Sequence, residues 1–104
     1  MADRAIRVST KVRPTRYIFD VKAALRSHNE AELHAVGSSI LTSVRTAERI
    51  MELGYASLEN LETELVHTRD EPPRAVGKLI ITLKKTHDFD ALDEEYRKQK
   101  DANR

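Results

Sequence analysis

The 104-residue chain contains no cysteine. That excludes disulfides, thiolate metal sites and a cysteine nucleophile. No apolar run is long enough to span a membrane, and the first residues, Met-Ala-Asp-Arg-Ala-Ile-Arg7, lack the core of a secretory signal, so an intracellular protein is expected. No dense run of Lys and Arg marks a nuclear signal, and nothing separates nucleus from cytoplasm. There is no internal repeat, no low-complexity segment and no arginine-glycine tail. Catalytic patterns are missing too. The four histidines (His28, His34, His67, His87) form no metal-ligand pair on one helix, and no serine lies in a nucleophile elbow. His34, on the polar side of a strand pattern, is expected to be a solvated side chain. The sequence thus points to a non-enzyme, with no metal, no cofactor and no small-molecule substrate.

What is present is the composition of one soluble domain, 39% hydrophobic and 34% charged. The net charge of +1 hides an uneven distribution. Residues 1–26 hold seven basic and two acidic side chains, residues 27–66 two and seven, residues 67–87 five and two, and residues 88–104 four and six. A fold that brings the first and third blocks together makes a positive surface that the total conceals.

Hydrophobic periodicity divides the chain into elements. Ile6-Arg-Val-Ser9 alternates as a short strand, and the basic loop Lys11-Val-Arg-Pro-Thr15 leads into a first helix with Thr15 as candidate N-cap. Tyr17, Ile18, Val21, Ala24 and Leu25 form that helix's apolar face; Phe19 falls off it, beside Lys22 and Arg26. After the turn composition Ser27-His-Asn-Glu30, Ala31, Leu33 and Ala35 alternate as a second strand. At Gly37 the period changes. Ile40, Val44, Ala47 and Met51 form a helical stripe flanked by Leu41 and Ile50, with Ser38 and Ser39 as candidate caps and Gly54 as the C-terminal stop. The outward N–H groups of such a first turn can receive a phosphate.

Residues 56–67 are ambiguous. Leu58, Leu61 and Leu65 suit a helix face, whereas Leu61, Thr63 and Leu65 alternate as a strand. Leu79-Ile-Ile-Thr-Leu83 is strand-like and needs a neighbour, and Thr68 to Ala75, with two prolines, reads as a hairpin loop. An antiparallel pair of 56–67 with 75–85 is therefore expected. Asp88 can cap a short helix carrying Phe89, Leu92 and Tyr96, before a charged, fraying tail.

The order strand, helix, strand, helix, strand, strand meets four sets of residues: Thr10-Lys-Val-Arg-Pro-Thr-Arg-Tyr17, Glu32-Leu-His-Ala-Val-Gly-Ser-Ser-Ile40, Ala47-Glu48 with Ile50, and Leu79-Ile-Ile-Thr-Leu83. Together they resemble the Alba family of nucleic-acid-binding proteins, especially its short eukaryotic members, over nearly the whole chain. The resemblance implies an α/β chain of α+β two-layer type, a four-stranded mixed sheet backed by two helices, plus the short C-terminal helix. Its domain is expected over 1–87, with helix and tail over 88–104. It also implies a homodimer, or a heterodimer with another Alba-type chain, that binds RNA, DNA or both.

On that resemblance the contacts lie in the loop before helix one, at the start of helix two and in the hairpin. The residues concerned are Lys11, Arg13, Arg16, Tyr17, Gly37, Ser38, Arg69 and Arg74. Affinity comes from phosphate neutralisation and counterion release, largely without sequence specificity. Archaeal members carry a lysine pair before the proline and basic residues on either side of the glycine. Here Val12 and Arg13, and Val36 and Ser38, stand in those places, which weakens the case for chromatin-like packing of duplex DNA and leaves room for RNA roles. The other function class is a non-catalytic protein-protein subunit of a ribonucleoprotein such as ribonuclease P. Binding of nucleic acid by the isolated chain separates the two.

Overall fold

The computed structural model describes residues 3–102. Its elements are β1 (Ala5–Arg7), α1 (Pro14–His28), β2 (Glu30–Val36), α2 (Ile40–Glu52), β3 (Ala56–His67), β4 (Ala75–Lys85) and α3 (Phe89–Ala102). One mixed sheet has the strand order β1-β2-β4-β3, with β1 parallel to β2 and the other neighbours antiparallel. The neighbouring of β1 and β2 through α1 follows the crossover expected of parallel strands. The pairing of 56–67 with 75–85 is as the sequence predicts.

Strand alternation and helix stripes close one core between sheet and helices. Ala31, Leu33 and Ala35 of β2 and Leu79, Ile81 and Leu83 of β4 are buried, and against them lie Tyr17, Val21, Ala24 and Leu25 of α1 with Ala47 and Ile50 of α2. The intervening residues Glu32, His34, Ile80 and Thr82 occupy the other face and stay partly accessible.

Local chemistry shifts several boundaries. The first strand is Ala5–Arg7 rather than 6–9, although the Val8 N–H still donates to the His34 carbonyl at 2.9 Å. Thr15 does not cap α1. Pro14 is its first residue, and Arg13, extended at φ −68°, ψ 146°, precedes it. Proline's fixed φ and missing N–H suit the first helical position, and its ring keeps the preceding residue extended. At the other end Ser27 and His28 remain helical, and Asn29 alone makes the turn with φ 64°.

The buried face of α2 is rotated from the expected stripe. Ser43 and Thr46 are fully buried, whereas Ile40, Val44 and Met51 are half-buried and Leu41 is exposed. The two hydroxyls become compatible with burial by donating back to helix carbonyls, Ser43 to Ile40 at 2.7 Å and Thr46 to Thr42 at 2.8 Å. Gly54 stops the helix at φ 85°, its N–H donating to Met51.

The C-terminal helix is not short. It runs 14 residues, about four turns, to Ala102; residues 103–104 of the expected tail lie outside the described residues. It lies antiparallel along α1, with Asp93 on Arg26, Tyr96 on Lys22 and Lys100 over Phe19. Phe89 is fully buried and meets the Tyr55 ring edge-on at 5.6 Å.

A buried ionic cluster holds this helix. Lys22, only 3% exposed, reaches Asp93 at 3.4 Å and lies 3.9 Å from the Tyr96 ring centre and 4.7 Å from that of Tyr55. Arg26 donates two hydrogen bonds to the same carboxylate, at 2.6 and 2.7 Å. Those bonds, ahead of the general cationic surroundings, hold the Asp93 carboxyl below the usual range, while Arg26 is pushed up by the same pairing. Burial, then the Asp93 charge, raises the Tyr55 phenol.

Candidate nucleic-acid interface

Strand direction decides where the basic segments meet. β1 and β2 are parallel and end together, Arg7 being paired with His34, while β4 runs the other way and its pairing with β2 begins at Lys78, opposite Val36. The loop 8–13, the turn at Gly37 and the tip of the β3–β4 hairpin therefore leave the same end of the sheet. Beyond Val36 the hairpin continues as a two-stranded arm, with Leu65, Val66 and His67 paired to Gly77, Val76 and Ala75.

The loop is braced from below. Tyr17 is buried, and its hydroxyl accepts from the Ser9 N–H at 2.7 Å; the Ser9 hydroxyl in turn accepts from the Lys11 N–H at 3.1 Å. Val12 packs on the core. Lys11, Arg13 and Arg16 are left exposed, and among the described residues none of the three has a carboxylate partner. Tyr17 thus positions the loop from the core side instead of standing on the surface.

Gly37 opens a single 3-10 turn, Gly37–Ser39, with φ 57°, a conformation that costs a residue with a side chain about 1 kcal/mol. Ser39 rather than Ser38 closes this turn. Its hydroxyl accepts from the Val36 N–H at 3.0 Å and donates to the Val36 carbonyl at 2.9 Å. Gly37 and Ser38 are exposed beside the loop.

At the hairpin tip, Thr68 accepts the Arg74 N–H at 3.0 Å and its own N–H donates to the Arg74 carbonyl at 2.8 Å. Arg74 bonds Asp70 at 3.0 Å, an exposed pair that salt and water screen. Arg69 is exposed with no carboxylate partner among the described residues. On α2, Arg49 pairs with Glu52 at 3.4 Å, as its spacing suggests, whereas Arg45 makes no such pair among the described residues. No group of three or more His, Asp or Glu among the described residues is placed to hold a metal ion, and no described helix is long and apolar enough to cross a membrane.

This architecture matches solved structures closely. ALBA1 from Trypanosoma brucei superposes with a TM-score of 0.85 at 22% identity, covering 99% of this chain and 87% of that one. Alba from Thermoplasma volcanium gives 0.68 at 24% identity over 78% of this chain and 99% of the other. In sequence, the uncharacterized protein At2g34160 of Arabidopsis thaliana is 31% identical over 91 residues, 84% of this chain and 70% of that protein. The chain has the Alba fold. No family model matches its sequence.

Within the Alba frame, seven of the eight residues expected from the sequence lie on the surface at one end of the sheet: Lys11, Arg13, Arg16, Gly37, Ser38, Arg69 and Arg74. Three more side chains stand there that the sequence did not assign to an interface. Arg7, His34 and Lys78 lie on the helix-free face, one on each of β1, β2 and β4. Strand alternation carried the signal, since each is out of phase with the buried residues of its strand.

Proposed function

We propose that this chain is a member of the Alba family and binds RNA, DNA or both through the phosphate backbone, largely without sequence specificity, by way of the loop 8–13, the Gly37–Ser38 turn and the hairpin tip. The observation that carries this is the convergence of Lys11, Arg13, Arg16 and Arg69 on one end of the sheet without carboxylate partners among the described residues. A protein that uses cations for its own stability pairs them, as Lys22 and Arg26 are paired here. Exposed and unpaired, they retain their charge for a polyanion. The two solved relatives bear the Alba name, and the cellular settings that fit are RNA regulation or chromatin, in cytoplasm or nucleus. Titrating a short oligonucleotide into isotopically labelled protein tests the location. Backbone amides of 8–13, 37–39, 68–71 and 74 should shift, with those of α3 unmoved; shifts centred on α3 overturn the assignment.

The same proposal includes a second Alba-type chain, identical or different. Register places Leu58 opposite Leu83 and Leu61 opposite Ile81, hence on the helix side of the sheet, yet Leu58, Leu61 and Leu65 are 50%, 54% and 74% exposed. Leu41 of α2 is exposed as well. Three leucines on one strand face, with no cover from their own helices, form a patch that protein contact removes from water. A Leu61→Asp substitution should convert the dimer to a folded monomer in light scattering. An unchanged mass would show that the two chains do not meet through this patch. Should the folded dimer fail to bind any nucleic acid, the protein-protein subunit of a ribonucleoprotein becomes the better account.

A further inference from the structure

On the helix-free face of the sheet, beside the proposed interface, lies a cleft of about 700 Å³. Its walls include Arg7, Thr10, His34, Val36, Ser38 and Lys78, and among the described residues no carboxylate is in the lining itself, although Glu64 stands 3.6 Å from Lys78 Nζ. The volume falls within the roughly 300–1,000 Å³ of small-ligand sites. Arg7, level with His34, and Lys78, level with Val36, stand on the strands either side of β2, about 12 Å apart at normal strand spacing and rise. Between them is His34, whose Nε2 is 2.9 Å from Glu32 Oε1. A carboxylate only accepts, so Nε2 donates to it and the ring is held with Nδ1 turned away from Glu32. Val36 adds an apolar wall, and Thr10 and Ser38 add hydroxyls.

A cationic cleft with an oriented imidazole and an apolar wall offers more than a backbone track. We propose that it takes up one nucleotide of a single strand, its phosphate against Arg7, which has no carboxylate partner among the described residues, and its base and sugar against Val36 and His34. This rests on the nucleic-acid-binding function proposed above and adds a preference to it. A duplex can lay its phosphates on the exposed cations of the loop and hairpin, but its bases are stacked and paired, and delivering one to the cleft costs unstacking and unpairing. A single strand delivers it freely. The cleft therefore discriminates by strandedness, while Lys11, Arg13 and Arg69 do not.

Two exposed positions on the edge strand test this without touching the core. Arg7→Gln removes a cation from the cleft, and Ala5→Leu fills part of it at constant charge. Affinity is measured by fluorescence anisotropy for single-stranded RNA, single-stranded DNA and duplex DNA of equal length. Either variant should lose about tenfold on the single strands and less than about twofold on the duplex. A ratio favouring RNA over single-stranded DNA adds reading of the 2′-hydroxyl by His34; equal loss on both single strands still supports the cleft. Equal loss on single strand and duplex, or no loss in either variant, overturns it. If the wild-type chain binds none of the three, the broader function fails and the cleft assignment falls with it.

Discussion

Replacing Asp93 by Asn should lower the stability of the chain by about 3 kcal/mol, a drop in Tm of about 10–20 °C for a domain of this size. The carboxylate is nearly buried and is shared by Lys22, itself only 3% exposed, and Arg26. Removing one charge of a buried set is costly because the others stay behind without compensation. An exposed pair on the same helix provides the control. Lys98 and Glu94 are 3.4 Å apart and largely in water, so Glu94→Gln should change stability by no more than about 0.5 kcal/mol. The cluster joins α3 to α1, on the helix side of the molecule, so the Asp93 variant should still bind nucleic acid at temperatures where it is folded.

The sign of the acid response follows from the same ion pairs. Arg26 holds the Asp93 carboxyl below its ordinary value, so the folded state binds fewer protons at this site than the unfolded state. The stabilisation is complete above the unfolded value of about 3.9 and is lost as pH falls below it toward the folded value. Denaturant midpoints should therefore fall more steeply for the wild type than for Asp93→Asn below about pH 4. The gap between them should be constant through neutral pH.

The second large effect belongs to the loop before α1. Replacing Lys11 and Arg13 together by Ala should weaken binding at about 0.1 M salt by tenfold or more. The slope of log K against log salt should become shallower by about 2, close to one unit for each phosphate that is no longer neutralised. Both side chains are exposed, and the loop's shape depends on Ser9, Tyr17 and Val12, which stay. The melting temperature should hardly move. Removing Lys98 and Lys100 from α3 subtracts the same net charge and should leave the slope unchanged if local phosphate binding, rather than overall charge, is responsible.

The fold is largely legible because most of its strands and helices keep their own period. β2 alternates, α1 shows its stripe, and Leu79-Ile-Ile-Thr-Leu83 needs a partner. The ambiguity at 56–67 has a physical origin in the structure: the pairing of β3 with β4 slips between Leu58 and Asn60. With one extra residue, Glu59, in the strand, Leu58 and Leu61 point to the same face although they are three apart, a helix-like spacing inside a strand. No local pattern distinguishes a bulge from a helical turn.

The cationic loop and hairpin could be read from charge counting, but the cleft and the α3 clamp could not. Lys22 looks like a surface residue until Asp93 arrives from 71 positions later, and Ser43 and Thr46 look wet until their hydroxyls turn back on the helix. Both cases depend on partners chosen in space. Arg7, His34 and Lys78 come together only through the register of three strands, two of them separated by most of the chain.

The most direct test of the central claim is the affinity of the wild-type chain for single-stranded RNA and duplex DNA across a salt series. Lys11, Arg13, Arg16, Arg69 and the half-neutralised Arg74 together imply a duplex slope of about −4 per protomer. A slope near zero in the folded chain, or no binding at low salt, would contradict a phosphate-binding surface at this end of the sheet.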